Sequence, residues 1–176
     1  MTNKGVLVAI SEFDLTVSAL SRMLLNLDSI VSKAEAYAEE KKIDPEVLIQ
    51  ARLYPDMLPF VAHIRIATDT AKGAAARLSS TEMPSWADDE ATFDDIHGRI
   101  RKALNYLAGF KPGQFEGSET KDIELKFPNR TFEFTGRDYV LGFVLPNFYF
   151  HVTTAYNILR HNGLAIGKMD FLGERK

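Results

Sequence analysis

From Ile10 to Ala38, apolar residues recur at alternating spacings of three and four: Ile10, Phe13, Val17, Leu20, Leu24, Leu27, Val31, Ala34 and Ala38. That period is the seam of an α-helix packed against other helices. Met23, Ile30 and Tyr37 widen the stripe to the breadth a bundle core requires. The charged run at 39–42 is a solvated end, and Ile43, Asp44 and Pro45 break the helix. A chain that opens this way has to bury one long helical face on further helices.

The rest of the chain supplies them. Pro55 and Pro59 demand a bend or fresh start, after which the pattern predicts a second helix from about Asp56 to Leu78. Its inner side is Val61, Ile64, Ala67, Ala71, Ala74, Ala75 and Leu78, and the alanines allow close helix approach. A third helix opens at Thr92, where Asp95 stands in for the usual Glu of a capping box. Phe93, Ile96, Ile100, Ala103, Leu104 and Leu107 form its stripe. Next, Ile123, Leu125 and Phe127 alternate with charged residues, as Phe132 and Phe134 do, and 128–130 makes the turn of a β-hairpin. A hairpin alone is marginal in water, so its apolar face should lie on the helices. The last helix is expected from about Arg137 to His161, with Leu141, Val144, Leu145, Phe148, Val152, Ala155 and Leu159 inward. Pro146 should kink or restart it, and Asn162 and Gly163 stop it. The remaining tail reads as an extended surface segment. The expectation is one mainly α domain over 1–176, a four-helix bundle with a small β-hairpin between the third and fourth long helices.

Composition narrows the function. Hydrophobic residues make 45% of the chain, enough for a full core. The net charge of -3 gives no support to a nucleic-acid partner. No run approaches the roughly 18 apolar residues of a membrane span. The apolar stretch at 6–10 is too short for a signal-peptide core, so a cytoplasmic location is the default. The absence of cysteine excludes disulfides, thiolate nucleophiles and thiolate metal sites. No G-x-S-x-G turn occurs. The segment 73–78 has one glycine and is no phosphate loop, and the acidic run at 88–95 lacks a calcium loop's glycine and terminal glutamate. That run reads as a solvated helix start, and 99–102 as the wet face of the third helix.

Histidine remains. The chain has four. His151 and His161 are ten residues apart on one helix, roughly 80° apart in angle and about 15 Å along the axis. They cannot share an ion, and Ala155 and Asn147 occupy the positions four away from His151. Histidines from different helices could meet: His63, His151 and His97 sit at or near inner stripes, and with Asp56 they would make an acceptable zinc or nickel set. The plainer reading makes each a hydrogen-bonded residue at a core boundary, with His161 a C-terminal helix cation. The last helix is also apolar beyond its inner stripe, through Tyr139, Phe143, Tyr149 and Phe150. Such a helix must be covered. The hairpin and a homodimer contact are the favoured covers. The competing cover is the tail from Leu164 to Leu172.

The segments RLYPDMLPF, ATDTAKGAAARL, FPNRTFEFTG, PNFYFHVTTAYNILRHNG and GKMDFLG together resemble an uncharacterised bacterial family within the DinB/YfiT-like superfamily. The resemblance implies an up-down-down-up bundle and frequent dimers. In many relatives three histidines hold a divalent metal, and some are thiol-dependent transferases. One ligand comes from the second helix, which His63 matches. The other two come from the last helix four residues apart, where His151 matches one and Ala155 replaces the other. The leading expectation is therefore a metal-free bundle that dimerises and binds a small molecule between helices two and four, at Tyr54, Asp56, His63, Asn147 and His151, with Trp86 as a further rim candidate. The alternatives are a divalent-metal-dependent transferase or hydrolase using His63 and His151, and a structural or regulatory homodimer.

Overall fold

The computed structural model describes residues 10–173. The expected apolar stretch at 6–10 lies almost wholly outside them. The first helix enters through a π-helical turn, Asp14–Ser18, and continues as α1, Ala19–Lys41. Val17, Leu20, Leu24, Leu27, Val31, Ala34 and Ala38 are all buried, as their period requires. Ile10 is not: it is 61% exposed, while Glu12 is buried. Ile10 precedes the helix, which starts at Glu12, and the π turn inserts a residue that shifts the inward face upstream of it from Phe13 to Glu12.

A short helix α2, Pro45–Ile49, follows with Asp44 capping it through Glu46 N–H at 3.0 Å. The next long helix, α3, is Phe60–Ser79 rather than one beginning at Asp56. Pro59 occupies its N-cap position, and Asp56 lies in the irregular segment before it. α4, Phe93–Ala108, carries the expected capping box: Asp95 N–H donates to Thr92 Oγ1 at 3.1 Å, and Thr92 N–H donates to Asp95 Oδ2 at 3.0 Å.

Strands β1, Asp122–Phe127, and β2, Arg130–Thr135, pair antiparallel with Ile123 opposite Phe134 and Leu125 opposite Phe132. The turn is Pro128 and Asn129 alone, and Arg130 pairs with Phe127. Ile123 and Leu125 are buried and Phe132 and Phe134 pack at the core edge, but Phe127 is 44% exposed. The final helix is continuous but in three parts: α5, Gly136–Tyr139; a π-helical turn, Val140–Val144; and α6, Leu145–His161. Pro146, the second residue of α6, needs no intrahelical donor there. The π turn again shifts the register: Tyr139 is 1% exposed and Leu141 is 51% exposed, the reverse of a regular-helix count. The tail is not extended throughout. It forms α7, Lys168–Leu172, which packs on α1.

α1 and α3 lie diagonally, and each packs on α4 and α6. Ala67, Ala71, Ala74 and Ala75 are all fully buried, letting neighbours approach α3 closely. The connection between α3 and α4 is held by Arg99, which is 3% exposed and not on a wet face. Its guanidinium donates to Thr68 Oγ1, the Ala87 carbonyl, Asp88, Glu90 and Asp69 at 2.7–3.0 Å. Glu90 is likewise buried rather than solvated, and also binds Arg65 at 2.6 Å. Trp86 in this connection faces Lys72, Lys102 and Arg99 at 4.3, 5.1 and 5.4 Å. These cations hold Trp86 at the α3–α4 side, so it is not assigned to the histidine rim.

Candidate functional site

α3 and α6 pack against each other, and each presents one histidine inward. His63 lies in the first turn of α3, where Pro59 sets the helix start. His151 lies seven residues into α6. They are 2% and 7% exposed. Their Nδ1 atoms are 2.9 Å apart, a hydrogen bond in which one ring donates and the other accepts. The ring centroids are 5.1 Å apart.

Both rings resist protonation. Burial holds His63 below the ordinary histidine range, with the Leu58 backbone acting in the opposite sense. His151 is pushed down to about 4, first by burial and then by repulsion from His63. A cation shared by two buried imidazoles has no carboxylate to balance it here, so the neutral pair prevails. His63 Nε2 is fully buried and has no hydrogen-bond partner. The Leu58 carbonyl acts on this ring but does not meet hydrogen-bond geometry at Nε2.

Phe150 covers the pair. Its ring stands 5.2 Å from His151, edge-on, and 6.4 Å from His63. It is itself 56% exposed, so its outer side meets solvent. One turn before His151, Asn147 Nδ2 donates to Thr70 Oγ1 at 2.8 Å, and Thr70 donates to the Ile66 carbonyl at 2.7 Å. Asn147 therefore ties α6 to α3 beside the pair.

Of the expected residues, His63 and His151 come together, with Asn147 on the same helix pair. Tyr54 and Asp56 are exposed in the segment leading into α3 and bond to neither histidine. His97 is elsewhere: its Nδ1 lies 2.6 Å from Asp28 and its Nε2 3.7 Å from Glu35, both on α1. His161 is exposed at the end of α6. Two surface clefts, of about 460 and 430 Å³, are lined by other residues, among them Arg22, Met23 and Tyr149, and Glu35, Ile43 and Phe93. Sequence reasoning missed Thr70, Leu58 and the covering role of Phe150. Only Phe150 left a signal, as an aromatic off the inner stripe and next to a histidine.

The donor set does not fit a zinc or nickel ion. Among the described residues no group of three His, Asp or Glu is arranged to hold a metal ion. Ala155, fully buried, stands four residues after His151, where a second imidazole of α6 would be needed to share an ion. Two tetrahedral imidazole ligands at about 2.0–2.1 Å from zinc stand roughly 3.3 Å apart, and these nitrogens are closer.

Comparison with known proteins agrees with the architecture. Residues 13–172 match the family model described as Domain of unknown function (DUF1993). A crystal structure of a DinB family member protein from Shewanella denitrificans is 42% identical and superposes with a TM-score of 0.86, covering 93% of this chain and 92% of that one. No curated protein matches the chain.

Proposed function

The chain belongs to the family described as Domain of unknown function (DUF1993), and we propose that within its DinB-like bundle the His63–His151 pair is a metal-free binding site for a small molecule. The observation that carries this reading is a buried imidazole pair bonded only to each other, with His63 Nε2 one of two buried side-chain polar atoms left without a partner among the described residues. Such a group costs free energy unless something compensates it, and sites of function are where such costs are retained. Phe150, half in solvent, is the side chain whose rotation opens the pair. Asn147 fixes the two helices on either side of it.

Two measurements test it. Elemental analysis of untagged protein should find less than a tenth of an equivalent of zinc or nickel. A stoichiometric ion lost on His151→Ala overturns the reading in favour of a metal-dependent enzyme. Thermal-shift screening of a fragment library should give hits that vanish in Phe150→Trp, which fills the approach. Hits indifferent to that change would place the ligand elsewhere.

A second reading, a homodimer through the solvent-facing side of the final helix, rests on Phe150 in α6 and Leu141 in the π turn before it, 56% and 51% exposed. Light scattering on Phe150→Asp checks it: a dimer mass that persists removes this face from the contact.

A further inference from the structure

The pair has a direction. Three of its four ring nitrogens are constrained by their surroundings. The two Nδ1 atoms face each other at 2.9 Å, so one carries the shared proton and the other accepts it. His63 Nε2 is sealed; the Leu58 backbone acts on this ring, and because Nδ1 is engaged by His151 we infer that it acts at Nε2. A lone pair aimed at a carbonyl oxygen is repelled, whereas an N–H gains even where the geometry falls short of a full hydrogen bond. That puts the proton of neutral His63 on Nε2 and leaves its Nδ1 the acceptor. His151 must then donate from Nδ1, and its Nε2 bears a lone pair. His151 Nε2 has no partner among the described residues, yet it is not one of the sealed unpartnered atoms. It is the nitrogen that a molecule under Phe150 meets.

We propose that this polarity selects the ligand: His151 Nε2 accepts a hydrogen bond from an uncharged molecule bearing a hydroxyl or N–H donor, whose apolar body lies against Phe150. This deepens the reading of the pair as a binding site and rests on it. Anionic ligands are disfavoured, because the pair stays neutral and no hydrogen bond or ion pair joins an Arg or Lys to it. Cationic ligands find no carboxylate bonded there either.

The test uses the full chain labelled with [15N]histidine at pH 7, with His63→Ala and His151→Ala assigning the resonances. Long-range nitrogen–proton spectra should show His63 as the Nε2–H tautomer and His151 as the less common Nδ1–H tautomer. In His63→Phe, His151 loses its acceptor and should revert toward Nε2–H. Phenol, anisole and benzoate are then titrated. Phenol should move the His151 Nε2 resonance saturably, with anisole and benzoate at least tenfold weaker. The opposite polarity, or equal response to anisole, overturns the proposal while leaving a binding site in place. Silence from all three probes overturns the binding reading itself, and the ligand class with it.

Discussion

Arg99 Nη1 lies 2.9 Å from Glu90 Oε1, and the two side chains are 2% and 8% exposed. A buried ion pair of this kind adds little over an apolar substitute, but removing one partner strands the other charge. Arg99 also carries the Ala87 carbonyl and two more carboxylates, so it fastens the whole connection between α3 and α4. Arg99→Ala should cost about 3–5 kcal/mol in urea unfolding. Limited proteolysis should cut first within 80–92. A loss below about 1 kcal/mol would mean the cluster is dispensable.

The histidine pair gives the protein a pH dependence whose sign is set by its neutrality. His151 titrates near 4 when folded and near the ordinary 6.5 when unfolded, and His63 is displaced in the same direction. Between those values the unfolded chain binds more protons, so stability rises with pH. It should therefore be full above about pH 6.5 and fall as pH drops toward 4. Asp95 and Asp170, held below the usual carboxylate range by hydrogen bonds, act only at still lower pH. Thermal melting from pH 7.5 to 4.5 should show the slope, and His63→Phe/His151→Phe should flatten it. An unchanged slope in the double variant would assign it to other groups.

Gly136 opens α5 where the chain passes the Ser118 backbone. A Cβ there would sit 1.7 Å from the Ser118 carbonyl oxygen, which no rotamer change relieves. Gly136→Ala should lose about 3 kcal/mol. Gly98→Ala, where a Cβ meets nothing within 4 Å, should be neutral or slightly stabilising by helix propensity. Equal effects at the two positions would contradict the packing described.

The cap of α4 offers a smaller test. Thr92 and Asp95 satisfy each other's backbone donors. Thr92→Ala should cost about 1 kcal/mol. Thr92→Ser should retain most of the stability. Identical losses in both would show that the hydroxyl is not what caps the helix.

The heptad-like seam of α1, the capped start of α4 and the alternation of the hairpin were all legible because each depends on neighbours within a turn or two. The errors cluster at three kinds of place. The exchange of Leu141 with Tyr139 comes from a π turn, which adds a residue without any distinct composition, whereas Ile10 is exposed because it precedes the helix. The start of α3 moved from Asp56 to Phe60 because two prolines left the helix two possible origins. Charge is ordinarily solvated, so sequence alone places Arg99 and Glu90 in water, whereas both are buried. Only the cluster of partners around them, drawn from α3, α4 and the connection, makes their burial tolerable. At the site, the step between His63 and His151 was a matter of helix faces, which period reveals. The partner of each nitrogen was not.

By itself, the amino-acid order determined that four apolar helical faces must meet, that the chain supplies no thiolate of its own, and that α6 places no second imidazole four residues from His151. Those are properties of composition and of period, which each segment carries before it touches another. Tertiary packing decided that His63 and His151 face each other nitrogen to nitrogen, that His97 turns away to Asp28, and that Arg99 goes inside. Hydrogen-bond direction and buried charge depend on groups 88 and 69 residues apart in the chain, and such distances are closed only when the helices pack.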